Sequence, residues 1–292
     1  MLPDITGADR KPQFGRIHFA VVLAVLFVLV TAVFYWLPNK PAMGYGSDWL
    51  YSLRPATLAV WAGQSPYELT LPLPVSNPPW TFLLLTPIAL LPADWGASLI
   101  FTLYIFSMGC LAYRMQMKPI GLAAFLMSAV VYSGAANGQI NFISALGILM
   151  PAPLGLLFVL TKPQVGLAVA LFWGVEAFRT GGMRKLLLTF APVTLALLLS
   201  FAVYGFWPLH ALQFQAFAWN TSLFPWSLVP AAALFYWALK RRDIRFALPV
   251  SPMLSPYLAF HSWFIALLPV TDSRIMVLAA VLSWVLELTV VR

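Results

Sequence analysis

The sequence predicts an all-α polytopic membrane protein, a bundle of transmembrane helices without a soluble domain, and three observations carry that expectation. Hydrophobic residues fill 61% of the 292 positions and charged residues only 9%, with a mean hydropathy of +0.86, against about 25% charged residues in ordinary soluble domains. The apolar residues fall in long unbroken runs rather than in alternation. Inside lipid every backbone polar group must be satisfied internally, so such runs select helices over a barrel. The cations behind the net charge of +8 are scattered in short segments between those runs: Arg10, Lys11 and Arg16; Arg114 and Lys118; Arg179, Arg184 and Lys185; Lys240, Arg241, Arg242 and Arg245. That pattern marks cytoplasmic loops, and with no water-facing basic module it argues against nucleic acid as a partner.

Each element follows in order. His18 to Leu37 is about one bilayer long and is followed by Pro38, Asn39 and Lys40 rather than a small-residue cleavage site. It reads as an uncleaved first helix with a cytoplasmic tail over residues 1–17. Residues 38–78 then form the first and longest extracytoplasmic loop, within which Asp48 to Trp61 makes a short surface helix ended by Gly63 and Ser65-Pro66. Trp80 to Leu91 lies between Pro78-Pro79 and Pro92; about 12 helical residues rise only about 18 Å, short of the ~30 Å core, which implies a re-entrant or interfacial helix. Residues 95–113 cross inward and leave Arg114 and Lys118 on the cytoplasmic side.

Further spans are expected at 119–133, 186–205, 225–239 and 275–291, while 140–178 and 246–270 are broken by Pro151, Pro153, Lys162-Pro163, Pro252 and Ser255-Pro256. Broken helices at membrane depth are tolerated where they line a cavity, and they mark binding sites. Roughly eight to eleven full or partial spans are expected. They form a single transmembrane domain over residues 1–292, without internal repeats, in a plasma membrane.

With nine carboxylates in the chain, each can be weighed singly. Asp4 and Asp9 belong to the tail, Asp243 sits in a cationic loop, Asp272 neighbours Arg274 in a turn, and Glu176 precedes Arg179 at a helix end. Glu287, inside the last span, reads best as an acid snorkelling from a helix end. Asp94 is interfacial, and Asp48 and Glu68 lie on the outer side. At Asp48 helix capping is the better reading from position alone, and a general base at the mouth of a cavity is the functional one. Lys162, flanked by apolar runs and followed by Pro163, needs an anion nearby; it reads either as a snorkelling structural lysine or, better because Pro163 breaks the helix and frees backbone groups, as a phosphate-binding one. His261, five residues after Pro256, reads alone as a hydrogen-bonded packing residue. Asn137, Gly138, Gln139 and Asn141 form an amide cluster suited to a polyol or diphosphate, or to a turn with interhelical hydrogen bonds. His18, His210 and His261 are widely separated and the single Cys110 lies in an apolar run. Neither metal ligation nor an intrachain disulfide is expected, and no cofactor is implied.

Four segments, taken in order, resemble the GT-C class of polyprenyl-phosphate-sugar-dependent membrane glycosyltransferases, most closely the family 87 mannosyltransferase-like proteins. They are Asp48-Trp49-Leu50-Tyr51 with Gly63-Gln64-Ser65-Pro66-Tyr67; Asn77-Pro78-Pro79-Trp80; Asn137-Gly138-Gln139-Ile140-Asn141 with Lys162-Pro163; and Ser255-Pro256 with His261. The second differs from the family's Tyr-Pro-Pro by an Asn, and in the last Ala259 and Phe260 stand where the family has Trp and an acidic residue. The resemblance implies a GT-C-like bundle that moves a hexose from a polyprenyl-phosphate sugar donor to a lipid or glycan acceptor on the outer face, with inversion. Asp48 would deprotonate the acceptor hydroxyl. Lys162, helped by His261 and Arg54, would offset charge on the departing phosphate, and Asn137, Gln139, Asn141 and Tyr67 would contact substrate.

Two other functions compete. A GT-C-like protein can serve as a structural or accessory subunit of a membrane-protein complex, and the broken helices also suit a transporter, though without the repeat that transporters commonly show.

Overall fold

The computed structural model describes residues 16–36, 45–210 and 220–291. The expectations for Asp4, Asp9, Arg10, Lys11 and Pro38 to Lys40 fall outside these residues, as does the side chain of His18. Among the described residues the chain is all-helical, with no strands. The α-helices are α1 (Arg16–Trp36), α2 (Arg54–Trp61), α3 (Pro79–Ala89), α4 (Ala93–Arg114), α5 (Pro119–Leu126), α6 (Ala129–Ala136), α7 (Asn141–Ile148), α8 (Ala152–Val159), α9 (Pro163–Tyr204), α10 (Leu228–Arg241), α11 (Val250–Leu254), α12 (Phe264–Leu267) and α13 (Ser273–Leu286). By length and composition α4 and α9 are each long and apolar enough to cross a membrane, and α5 with α6 makes a third candidate bent by 49°.

Prolines set most of the breaks. Pro79, Pro119 and Pro163 each begin a helix, where the missing N–H costs nothing and φ is already helical. The residue before a proline is pushed to extended backbone, and Lys162 accordingly has φ −137° and ψ 88°. The short α3 agrees with the expected re-entrant or interfacial helix in length, and Leu83 and Leu84 on it are exposed.

α1 lies antiparallel on α4. Tyr35 stacks on Trp95 at 4.5 Å, the Thr31 hydroxyl donates to Thr102 at 2.8 Å, and Phe27 meets Phe106 edge-on at 5.4 Å.

The helix α9 is in fact a hairpin. A straight helix would carry residue 190 about 24 Å from residue 174, yet the Phe190 ring lies directly against Gly174. The reversal falls at Gly181 and Gly182, both non-helical, the latter at φ 61°. The arms 163–180 and 183–204 then rise about 27 Å and about 33 Å, each near the thickness of a bilayer core. The expected separation of a stretch ending at 178 from a span at 186–205 corresponds to these two arms. At the turn Arg179 donates to the Leu239 carbonyl at 2.7 Å and Arg242 stands 3.9 Å from Glu176, so two of the cationic segments come together. The second arm returns to the start of the first, and Tyr204 and Trp207 meet Tyr67 at 6.2 Å and 6.1 Å.

The main core is built from α2 to α9 with the segment 258–268; Trp49, Phe82, Tyr104, Phe125, Ile140, Leu156 and Phe264 are fully buried in it.

Candidate functional site

The loop at the end of α6 organises the site. Gly138 at φ 74° closes that helix in a Schellman motif, with Gln139 N–H donating to Gly134 O at 3.0 Å and Gly138 N–H to Ala135 O at 3.1 Å. The remaining carbonyls of the last turn are taken by the segment before α2: Gly46 N–H donates to Ala136 O at 2.6 Å and Asp48 N–H to Asn137 O at 2.9 Å. A Cβ on Gly138 would come within 2.8 Å of Trp49 Cβ. Glycine here therefore supplies both the left-handed backbone and the close approach that sets Asp48 beside Gln139.

Four side chains form a hydrogen-bonded line. The Gln139 amide donates through Nε2 to Asp48 Oδ2 and accepts through Oε1 from Lys162 Nζ at 2.9 Å. Lys162 Nζ also lies 3.1 Å from His261 Nε2. An ammonium has only donors, so Nε2 accepts and the ring proton sits on Nδ1. All four residues line one cavity of about 350 Å³, together with Asn137, Asn77, Gln164 and several serines. Lys162 and His261 are buried, while Asp48 keeps some surface toward the cavity. Desolvation raises the Asp48 carboxyl above the ordinary carboxylate range, against the opposing pull of the Gln139 hydrogen bond and the Lys162 charge.

Several expectations need correction. Asp48 makes no capping hydrogen bond, because its carboxylate is turned to Gln139 instead. Arg54 does not line the cavity; Nη2 donates to the Leu91 carbonyl at 3.2 Å, tying α2 to the end of α3. Tyr67 is also outside the lining: its hydroxyl donates to Asn77 O at 2.6 Å and its ring stacks on His210 at 5.1 Å. Asn141 is fully buried behind the site, where Nδ2 donates to the Tyr104 hydroxyl at 3.1 Å and to the His261 carbonyl at 3.4 Å. It positions the histidine segment and is not placed to touch a ligand. His261 is more than a packing residue, since its ring meets Lys162.

Sequence reasoning overlooked Ser52, Ser133, Gln164 and Ser262 as lining residues, and read Glu287 as a snorkelling acid although it too lines the cavity. For Glu287 the signal existed, an acid inside an apolar span; the serines are unremarkable in any sequence.

The arrangement offers an anion-binding end and a proton-accepting end. Lys162 sits at the start of a long helix arm, where the positive end of the helix dipole adds to its ammonium. Among the described residues no group of His, Cys, Asp and Glu has the arrangement of a metal site. The chain shows no significant match to any protein-family model, curated protein or solved structure.

Proposed function

We propose that the protein is an integral membrane glycosyltransferase that transfers a hexose, mannose by its motifs, from a polyprenyl phosphate to an acceptor hydroxyl with inversion. The proposal includes a polytopic GT-C-like bundle in the plasma membrane, with the cavity facing outward. One observation carries it. A carboxylate, a bridging amide, an ammonium and an imidazole stand in line along the wall of one cavity, whose size falls in the range of small-molecule sites, about 300–1,000 Å³.

In the reaction Asp48 accepts the proton of the acceptor hydroxyl as its oxygen attacks the anomeric carbon. The bond between that carbon and the lipid phosphate breaks. The phosphate departs with the bonding electrons, and its added charge is offset by Lys162 and the helix start beside it. Asn137 and Gln164 line the same cavity and have amides suited to sugar hydroxyls. His261 holds the Lys162 ammonium in place.

The test is transfer from a polyprenyl-phosphate mannose by purified protein in vesicles. Asp48→Asn should abolish it while leaving expression and folding intact. For the wild type the rate should climb with pH as the raised Asp48 carboxyl loses its proton, with a midpoint above the free aspartate value of about 3.9. Unchanged transfer by the Asn variant removes the general-base assignment.

A further inference from the structure

The Gln139 amide separates two charges that would otherwise meet. Its Oε1 faces the Lys162 ammonium and its Nε2 faces the Asp48 carboxylate, and these opposite neighbours also settle which way the amide points. The backbone holds the amide there, because Gln139 directly follows the left-handed Gly138 and its N–H closes the end of α6. Lys162 leaves extended backbone before Pro163, and its ammonium is held by the contacts to Gln139 and His261. Its stem is flexible, and only the width of one amide group lies between its ammonium and the carboxylate. A direct ion pair in so enclosed a place would consume both charges. Among the described residues the contacts to Gln139 and His261 occupy two of the three Lys162 donors, so one remains for an incoming anion.

We infer that Gln139 is a positioning residue that keeps Asp48 and Lys162 from forming an ion pair, so that the cavity can bind a phosphate at Lys162 while Asp48 stays open to a hydroxyl. This rests on the glycosyltransferase reading for the ligand's identity, though not for the spacing itself. Truncating the amide lets the lysine swing onto the aspartate and closes the anion site. Removing the aspartate charge as well releases the lysine again.

The experiment uses full-length wild type, Gln139→Ala, Gln139→Met as a variant of similar volume, and the double variant Gln139→Ala/Asp48→Asn, all in detergent. Carbodiimide coupling followed by peptide mass spectrometry reads direct carboxylate–ammonium contact. An Asp48–Lys162 isopeptide link should be scarce in the wild type and abundant in both single variants. Titration with inorganic phosphate reads the anion site: affinity should fall about tenfold or more in the single variants, the size expected for losing a charged hydrogen bond, and recover in the double variant. A structural role alone would not produce that recovery. Single variants that fail to couple, or a double variant that stays weak while the wild type binds, overturn the inference. If the wild type binds no phosphate yet the single variants couple, the spacer role stands and the phosphate-donor reading falls.

Discussion

In the cavity wall Asp48 and Lys162 stand on either side of a neutral amide, whereas just beyond the C-terminal end of α10 Arg245 grips Asp243 at 2.6 Å and at the hairpin turn Arg179 grips Glu176 at 2.9 Å. The second region also rests its cations on rings, Arg241 at 4.8 Å from Trp237 and Lys240 at 5.1 Å from the same ring. In both ion pairs the guanidinium keeps contact with water while the carboxylate is more enclosed, and a pair with one water-facing partner forms at little cost and for little gain. The Lys162 ammonium is buried, and a chain that buries an ammonium beside a partly enclosed acid without joining them forgoes the attraction that would offset the expense. That conflict between local stability and arrangement is what a functional site looks like.

Substitutions break or sharpen the contrast. On the proposed reaction the largest effect belongs to Lys162→Met, which should lower transfer by about a hundredfold or more, the loss expected for a group that offsets a developing anion, while Lys240→Gln leaves the rate within about twofold, as surface changes do. Equal losses measured in vesicles would erase the distinction. Gly138→Ala comes next. It forces a side chain into left-handed backbone, at about 1–3 kcal/mol, and against Trp49, so thermal unfolding should show a marked loss of stability and transfer should fall with it as Asp48 is displaced.

Arg245→Gln is the smallest, at about 1 kcal/mol or less for a pair whose guanidinium is exposed. Its pH dependence is nonetheless informative. At Asp243 burial would raise the carboxyl, but the hydrogen bonds and charge of Arg245, with Arg241, hold it below the ordinary range. A depressed acid stabilises the fold above its unfolded pKa and loses that contribution as pH falls through the folded one. The difference in unfolding midpoint between wild type and Arg245→Gln should therefore be constant near neutrality and shrink only in strong acid, the same sense as the Asp48 rate profile but at lower pH, because the Asp243 carboxyl is depressed and the Asp48 carboxyl raised.

Local signals announced most of the elements. Prolines at 79, 119 and 163 start helices, and Gly63 ends α2 at φ 75° as expected. The breaks at Lys162-Pro163 and Ser255-Pro256 flank the cavity that broken helices were expected to line. The same signals were ambiguous where direction mattered. Nothing in Asp48-Trp49-Leu50 says that the carboxylate turns away from its helix, nor does Gly181-Gly182 state that the chain reverses fully there.

By itself the sequence determined an apolar helical chain, the places where its helices stop, and the short roster from which Asp48, Gln139, Lys162 and His261 come. Tertiary structure decided the rest: that Arg54, Tyr67 and Asn141 lie outside the cavity lining, that Glu287 reaches it, and that an amide divides the carboxylate from the ammonium. The reason is distance along the chain. Hydropathy, proline and glycine act over a few residues, but Asp48 meets a partner 91 positions away and Lys162 one 99 positions away, and only packing the whole bundle brings them into register.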